Sequence, residues 1–399
     1  MEAIQSQINL KVKNNTSLAQ PVSILGVVPN SNTANNNNLL YEFDLTGQSF
    51  VGITNVSINI SNTSNPTIVV NTVQVTTQSI QGIVYALNTL NQGLFSYSGS
   101  IIYVSSNYYI YSNISIAGSS ILGTTFGTPE AIAIDSLGNI YTADTFPSPC
   151  TITKITPSGV SSVFATLTIP ATPTCIVIDA SDNLYVGCIS TDDVKKITPL
   201  GVVTVYGTTG LEPIAIIIDS LGTVFTANRT SNNVSKITSL GISTILGTTG
   251  AIPSGLVLDS LGNIFTSNNS SSNISKITPL GISTIFATTG TNPQRITIDN
   301  SDNLYTANSG SNNVSKITSL GVSTILGTTG LSPSSIAIDS SNNLYTANII
   351  SDNVSKITQL GASSIIGTTG IAPYAIVVDN FSNVYTANNG DNTVTIIVQ

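Results

Sequence analysis

The sequence predicts a mainly β fold: a seven-bladed β-propeller of four-stranded blades with strand-swap closure, preceded by a small α+β domain. Two observations support this prediction. The second part of the chain repeats with a period near 40 residues. Each period contains several short runs of β-favouring residues separated by turn signals, and no run has the 3.6-residue spacing of an amphipathic helix.

The amino-acid composition alone argues against several classes of function. The chain has 399 residues, 41% hydrophobic and only 8% charged, with a formal net charge of −8. The longest basic run is Lys195-Lys196, whereas a nucleic-acid binder needs clustered Lys and Arg. We therefore expect no nucleic-acid partner. The chain has no histidine and three cysteines, which removes the commonest general base and most nucleophile arrangements.

The repeat is visible in an aspartate that closes each apolar run of the "AIAID" type. The steps between successive aspartates are 44 residues and then 40 residues, five times. A proline lies six residues before each aspartate, and Tyr or Phe lies six residues after it. The seven aspartates are Asp135, Asp179, Asp219, Asp259, Asp299, Asp339 and Asp379.

Each unit divides into four strands, which we name A to D in chain order. In the sixth unit these are "SIAID", "NLYTAN", "NVSKIT" and "SSIIG". The A–B connection ("DSSNN" or "DSLGN") has the Asp, Asn and Gly residues that tight hairpins use. The D–A connection ("GTTGxxP") has glycines for the bend and a proline that ends the outer strand.

The ends of the repeat region predict how the ring closes. The last unit runs to Gln399 without a strand D, while "SSILGTT" at 119–125 is a strand D without the other three strands. We therefore predict that residues near 118–123 pair with residues 393–398. This clasp removes the unpaired edges of an open ring.

The segment "AIAIDSLGNIYTADTFPSPCTITKITPSG" (131–159) resembles the NHL repeat, and the resemblance covers roughly residues 118–399. It implies a propeller, a fold that serves as binding scaffold and as enzyme alike. The chain is also similar to the streptogramin lyases, seven-bladed relatives whose chemistry relies on a histidine base. Since this chain has no histidine, that activity is not expected to carry over.

The repeated side chains allow several interpretations. The aspartate ring is a candidate Ca²⁺ site, but we favour turn caps in each blade. The strand C lysines are interpreted as solvated or snorkelling groups rather than a basic patch, and the strand B aromatics as packing between blades. The lysines are Lys154, Lys196, Lys236, Lys276, Lys316 and Lys356.

The cysteines form a candidate thiol cluster. The 44-residue step adds two residues to the B–C loop "DTFPSPC" and two to the D–A loop "LTIPATPTC", which are expected on one propeller face. This places Cys150, Cys175 and Cys188 around the first two blades. A disulfide and a group of buried thiols both remain open; the lack of a signal-peptide pattern favours free thiols, and a zinc site is weakly supported without His.

Residues 1–112 do not repeat and are expected to form the α+β domain, followed by the propeller at 113–399. "SIQGIVYALNTLNQG" (79–93) puts five apolar residues on one helical face before a Gly cap. The strand-like runs around it include "LLYEFDLT" and "TIVVNTVQVTT". This unit resembles small β-rich domains of large-virus structural proteins.

These features favour a non-enzymatic virion structural or attachment protein, without cofactors. The Asn, Ser and Thr-rich surface is typical of exposed proteins, yet no secretion signal or membrane span is indicated. We expect a virion location, or else an extracellular or cell-surface one. Expected partners are other virion proteins through the N-terminal domain and a host receptor or glycan on the propeller, with homo-oligomers also open. The alternatives are a lyase or lactonase using carboxylates and a metal, and an NHL-type scaffold.

Overall fold

The computed structural model describes residues 118–399 in full and, by backbone only, the segments 7–13, 23–29, 39–44, 55–62, 65–74, 83–88, 101–105 and 108–111. The chain divides into two compact units, Met1–Ala117 and Gly118–Gln399. The domain boundary expected at residue 112 thus lies a few residues before this division. Among the described residues no helix is long and apolar enough to cross a membrane.

Strands make up the described part of the first unit. The strands are β1 (Gln7–Lys13), β2 (Ser23–Pro29), β3 (Leu39–Asp44), β4 (Asn55–Asn62), β5 (Asn65–Gln74), β6 (Ile83–Asn88), β7 (Ile101–Ser105) and β8 (Tyr108–Tyr111). One sheet has the order β1-β4-β5 and the other β2-β3-β6-β8-β7.

The helix predicted over 79–93 is wrong where the structure describes that segment. Strand β6 occupies Ile83–Asn88 and pairs antiparallel with β3. The physical reason is local: "IVY" at its start consists of β-branched and aromatic residues, which favour a pleated strand. A helical spacing of apolar residues over so short a run does not decide between the two states.

The second unit contains seven four-stranded antiparallel sheets, numbered here as blades 1 to 7. From blade 1 to blade 7 the strands A are β10 (Pro129–Ile134), β14 (Pro173–Ile178), β18 (Pro213–Ile218), β22 (Pro253–Leu258), β26 (Pro293–Ile298), β30 (Pro333–Ile338) and β34 (Pro373–Val378). The strands B are β11 (Ile140–Asp144), β15 (Leu184–Cys188), β19 (Val224–Asn228), β23 (Ile264–Asn268), β27 (Leu304–Asn308), β31 (Leu344–Asn348) and β35 (Val384–Asn388).

The outer half of each blade consists of strands C and D. The strands C are β12 (Thr151–Ile155), β16 (Asp193–Ile197), β20 (Asn233–Ile237), β24 (Asn273–Ile277), β28 (Asn313–Ile317), β32 (Asn353–Ile357) and β36 (Thr393–Val398). The strands D are β13 (Ser161–Thr166), β17 (Val203–Thr208), β21 (Ser243–Thr248), β25 (Ser283–Thr288), β29 (Ser323–Thr328), β33 (Ser363–Thr368) and, for blade 7, β9 (Gly118–Thr124).

The predicted clasp is confirmed. Strand β9 pairs antiparallel with β36, with Thr124 opposite Thr393 and Gly118 opposite Val398. The outer strand of blade 7 is therefore supplied from the N-terminal side of blade 1. This pairing closes the ring with backbone hydrogen bonds rather than with side-chain packing alone.

The hydrophobic core lies between neighbouring blades. One cluster joins Tyr305 and Val314 of blade 5 to Ile336, Leu344 and Ile357 of blade 6. Comparable clusters join the other neighbouring pairs. The strand B aromatics are buried in these clusters, so the prediction that they pack between blades agrees with the structure.

A buried polar triad ties strands B and C together within most blades. In blade 5, Asn308 Nδ2 donates to Asn313 Oδ1 at 2.8 Å and to Ser315 Oγ at 2.9 Å. Blade 1 has Asp144 in place of the asparagine, and blade 2 has a buried ion pair between Lys195 Nζ and Asp193 Oδ2 at 2.5 Å. Blades 1 and 2 therefore carry charge where the other blades carry amides and hydroxyls.

Candidate functional site

Differences between the blades are concentrated at the start of strand A. Its first residue is always proline and its fourth is Ile or Leu, but the second and third residues vary. The second residues are Glu130, Thr174, Ile214, Ser254, Gln294, Ser334 and Tyr374. The third residues are Ala131, Cys175, Ala215, Gly255, Arg295, Ser335 and Ala375.

These variable positions meet at one mouth of the channel. The first residue of strand A pairs with the last residue of strand B in every blade, as Pro293 does with Asn308, so the D–A and B–C loops share this face. We call this mouth the entrance. The residue that follows strand B also lies there and also varies; it is Thr145, Ile189, Arg229, Asn269, Ser309, Ile349 and Asn389 in turn.

Two cavities open at the entrance. The first, of about 200 Å³, is lined by Arg229, Gln294, Arg295 and Tyr374 together with serines and isoleucines of blades 3 to 6. The second, of about 150 Å³, is the channel itself, because strand A of every blade lines it. Arg295 lines both cavities.

Arg295 is half-buried and has no carboxylate partner among residues 118–399. Its Nη1 donates to the backbone oxygen of Ser254, and the two ion pairs in this part of the chain are Lys195–Asp193 and Arg229–Glu212. Gly255 of the neighbouring blade allows the backbone of strand A of blade 5 to approach closely, since a Cβ there would lie 2.8 Å from the backbone nitrogen of Ile296. A guanidinium has five N–H donors, so most of its hydrogen-bonding capacity remains for a ligand.

Glu130 lies across the channel from these arginines. Burial raises the pKa of its carboxyl group above the usual range, and the hydrogen bond from Asn389 and the charges of Arg295 and Arg229 offset this only in part. Asn389 Nδ2 donates to Glu130 Oε1 at 3.0 Å. The entrance therefore has both cationic and carboxyl groups, contributed by different blades.

The small hydroxyl residues at the second position of strand A have a structural role. Thr174 Oγ1 donates to the backbone oxygen of Pro213 at 2.6 Å, and Ser254 and Ser334 make the same bond to the next blade's proline at 2.8 Å. These are blades 2, 4 and 6. The larger residues Glu130, Ile214, Gln294 and Tyr374 are in the odd-numbered blades, where they extend the entrance wall.

The aspartate ring lies at the opposite mouth and serves the A–B turns. Asp299 Oδ1 accepts hydrogen bonds from the backbone nitrogens of Ser301 and Asn303, both at 2.9 Å, and Asp299 Oδ2 accepts one from Tyr305 at 2.9 Å. Burial opposes ionisation, but the hydrogen bonds from Asn303 and Ser301 outweigh it and lower the pKa of Asp299. The same turn recurs at Asp135, Asp179, Asp219, Asp259, Asp339 and Asp379.

The turn-cap interpretation accounts for these carboxylates without an ion. Within residues 118–399 no group of three or more His, Cys, Asp or Glu side chains is arranged to hold a metal ion. Five of the six strand C lysines lie over the strand B ring of their own blade, as Lys356 Nζ does at 5.3 Å from the Tyr345 centroid. The Tyr–Asp hydrogen bond was not anticipated from the sequence, although the constant spacing of the two residues was visible there.

The three cysteines are free thiols in the structure, and all are buried. Burial raises the pKa of Cys175 to about 11. Burial also raises the pKa of Cys188, and the charge of Asp193 raises it further. Such thiols are poor nucleophiles at neutral pH because the thiolate is the reactive form.

Comparison with known proteins identifies the family. The model of the virginiamycin B lyase family matches residues 120–397. The chain belongs to this family. A sequence search of curated proteins found no match.

Solved structures share the fold at low identity. The selenomethionine-substituted virginiamycin B lyase from Staphylococcus aureus is 19% identical, with a TM-score of 0.63 over 70% of this chain and 98% of that chain. A streptogramin B lyase is 16% identical, with a TM-score of 0.64 over 70% of this chain and 96% of that chain.

A third structure is a catalytically inactive histidine-to-alanine variant of the Staphylococcus aureus virginiamycin B lyase with quinupristin, 19% identical with a TM-score of 0.61 over 70% of this chain and 98% of that chain. At these identities the likeness of the three structures shows the fold alone.

The side chains at the entrance are candidate functional residues that the sequence analysis did not single out. The regular recurrence of Asp, Lys and aromatic residues makes the blades look alike in the sequence, and the 44-residue first step distinguishes only the loops of blades 1 and 2. The structure brings Arg295, Arg229, Gln294 and Glu130 to one mouth. The signal was present in the sequence, since the two residues after each strand A proline differ from blade to blade.

Proposed function

We propose that this chain is a non-catalytic recognition protein whose propeller binds a ligand at the entrance. The observation that carries the proposal is the placement of blade-to-blade variation at the second and third residues of strand A. These positions line cavities of about 200 and 150 Å³. Repeats that are otherwise uniform provide a rigid frame, and a rigid frame with variable positions around one opening suits recognition.

The ligand class follows from Arg295. A half-buried guanidinium without a carboxylate partner attracts a carboxylate, sulfate or phosphate group, which it binds through paired N–H donors. Gln294, Asn269 and Tyr374 add polar groups around it. We therefore propose an acidic glycan as the ligand, with its carboxylate bound to Arg295 and its hydroxyl groups bound to these neighbours.

Binding without turnover agrees with the absence of histidine. The chain has no histidine at any of its 399 positions, and the related lyase that has lost one histidine is inactive, yet its structure contains quinupristin. A propeller of this family can thus be a binder without being a catalyst. The buried thiols offer no substitute, because their raised pKa values keep them protonated.

The proposal is tested by calorimetric titration of the full chain with glucuronic acid and N-acetylneuraminic acid, with glucose as the neutral control. Replacing Arg295 with Gln removes the charge but keeps a polar side chain, and should weaken acid binding by roughly tenfold or more, as expected for a hydrogen-bonded ion. Lys236→Gln is the matched control, since it removes the same charge from an outer strand near the opposite face. Equal affinities of the two variants would contradict the proposal.

The wider role we propose is that of a virion structural or attachment protein, with the N-terminal unit contacting other particle proteins and the propeller displayed. The supporting observations are a sequence rich in Asn, Ser and Thr and the variable side chains that line the propeller entrance. Mass spectrometry of purified particles and of infected-cell fractions tests this role. Absence of the chain from the particles would contradict it.

Family membership favours a lyase as a second candidate function. Glu130, whose carboxyl pKa is raised by burial, has the property of a general acid or base, and two arginines lie near it. The test is incubation of the chain with virginiamycin B and quinupristin, followed by mass analysis of the antibiotic. Cleavage lost on Glu130→Gln would establish the lyase and overturn the non-catalytic proposal.

A further inference from the structure

The face opposite the entrance carries a set of exposed apolar turn residues. The A–B and C–D turns lie on this face, and nine of them have Leu or Phe at the tip, with 71% to 98% of the residue exposed. We call these nine residues the leucine arc. They are Leu200, Leu240, Leu280, Leu320 and Leu360 in the C–D turns of blades 2 to 6, and Leu137, Leu221, Leu261 and Phe381 in A–B turns.

The turns do not require these leucines. In blade 1 the C–D turn has Ser158 at the tip, and it makes the turn bonds from Gly159 N to Thr156 O at 2.8 Å and from Thr156 N to Val160 O at 3.0 Å. In blade 3, with Leu240 at the tip, the corresponding bonds are 2.8 and 2.9 Å. The A–B turn likewise forms with Ser301 in place of leucine. Folding therefore does not explain why five successive blades place leucine in water.

The polar groups of these turns are already satisfied. Thr238 Oγ1 accepts a hydrogen bond from Ile242 N at 3.2 Å, and Asp259 Oδ1 accepts from Leu261 N and Asn263 N at 2.9 and 2.7 Å. Covering the leucine tips would leave these internal bonds intact. Burying such a surface costs little free energy, because its polar groups keep their hydrogen bonds.

The arc is large enough for a stable interface. Each tip residue offers on the order of 100 Å² of apolar surface, so nine residues offer roughly 900 Å². A stable interface buries about 800 Å² on each partner. The summed apolar area of the nine tips, which are distributed one or two to a blade, thus matches one half of an interface.

We infer that the leucine arc is the contact surface of a dimer formed with a second copy of this chain. The charges on this face have both signs, because blades 1 to 6 each have a turn aspartate and a strand C lysine. Such a face can meet a copy of itself across a two-fold axis. An anionic lipid surface is disfavoured, since the chain has a net charge of −8 and such membranes attract Lys and Arg.

Sedimentation of the full chain over a wide range of concentration tests this inference. The wild-type chain should sediment with about twice its 41.3 kDa mass. A variant with serine, the residue found in blade 1, at the five C–D tips should sediment as a monomer. The matched control replaces the half-exposed strand D residues Val205, Ile245, Ile285, Ile325 and Ile365 with threonine, and should remain dimeric. Threonine keeps the β-branched shape that strands favour.

The melting temperature of the five-serine variant separates loss of contact from loss of fold. We expect this variant to melt in one cooperative transition, because blade 1 folds with serine at this position. Its melting temperature should equal the value that the wild type approaches at low protein concentration. If the five-serine chain does not fold, serine at Leu240, Leu280 and Leu320 alone should weaken the dimer at least tenfold. A monomeric wild type at all concentrations, an unchanged dimer in the variant, or binding of the arc to lipid vesicles instead would each overturn the inference.

Discussion

Replacing Asp144 with asparagine should stabilise the protein at neutral pH and leave it little changed at pH 4. Asp144 is 1% exposed, and its carboxylate has three threonine hydroxyls and no cation around it. Thr142 Oγ1 donates to it at 2.8 Å and Thr151 Oγ1 at 3.3 Å, and Thr153 Oγ1 also donates. Burial raises the pKa of Asp144 to about 6, against a usual value of 3.8, although these hydroxyl bonds lower it.

The direction and size of the effect follow from proton binding. Because the folded-state pKa is raised, the folded protein binds the proton more tightly than the unfolded chain does, so stability is fully present below about pH 4 and is lost as the pH rises through about 6. A shift of about two units corresponds to about 3 kcal/mol. With an unfolding entropy of about 2.1 cal/mol/K per residue, this free energy corresponds to a melting-temperature difference of roughly 5 °C for the propeller.

Differential scanning calorimetry of both proteins from pH 4 to pH 7 measures this difference. Asp144→Asn should melt close to the wild type at pH 4 and several degrees above it at pH 7. The reciprocal change Asn308→Asp, at the same position of blade 5, should produce the opposite dependence, with a loss of stability confined to neutral pH. If the difference between Asp144→Asn and the wild type were the same at pH 4 and at pH 7, the argument from burial would be refuted.

Three further predictions concern the turns, the clasp and the contacts between blades. Asp299→Ala should lower the free energy of unfolding by on the order of 1 kcal/mol through loss of the turn cap, whereas chelators should leave the melting temperature unchanged; a shift of several degrees on Ca²⁺ removal would instead indicate an ion site. Deleting residues 1–125 should lower the propeller's melting temperature by several degrees more than deleting 1–112, because the first deletion removes β9; equal melting temperatures would contradict the clasp. Thr174→Val should cost about 1–3 kcal/mol because it leaves the buried backbone oxygen of Pro213 without its hydroxyl partner, while Gln294→Val, at the same position of blade 5, should be nearly neutral in chemical denaturation.

The propeller could be predicted from the sequence because the turn residues, the strand propensities and the repeat length all indicate the same fold. The same pattern of turn residues, strand-favouring residues, prolines and aspartates recurs seven times. A chance pattern in one unit therefore does not change the prediction. The clasp was predictable for the same reason, since one unit lacks a strand D and an isolated strand D occurs before the first unit. The first unit has no repeat to average over, and there a single helical spacing over 79–93 gave the wrong structure for Ile83–Asn88.

The entrance was harder to predict because its residues indicate a candidate binding site only when the fold brings them close together. Arg295 and Glu130 are 165 residues apart in the chain, and each looks like an ordinary substitution in a strand. Their proximity depends on ring closure, which brings strand A of all seven blades to one channel. Repeated Asp, Lys and Tyr residues are more conspicuous in the sequence, but the structure assigns them to turns and ring contacts.

The alternation of roles around the entrance explains how a uniform repeat can acquire a specific site. In blades 2, 4 and 6, the hydroxyl group of Thr174, Ser254 or Ser334 donates to the proline carbonyl of the next blade, so the side chain must stay small and polar. In the odd-numbered blades the second residue of strand A makes no such bond to the next blade. Those positions carry Glu130, Ile214, Gln294 and Tyr374. Because the structural bonds lie on alternate blades, the remaining positions can vary without loss of the ring, and the variation reaches the entrance where a ligand would bind.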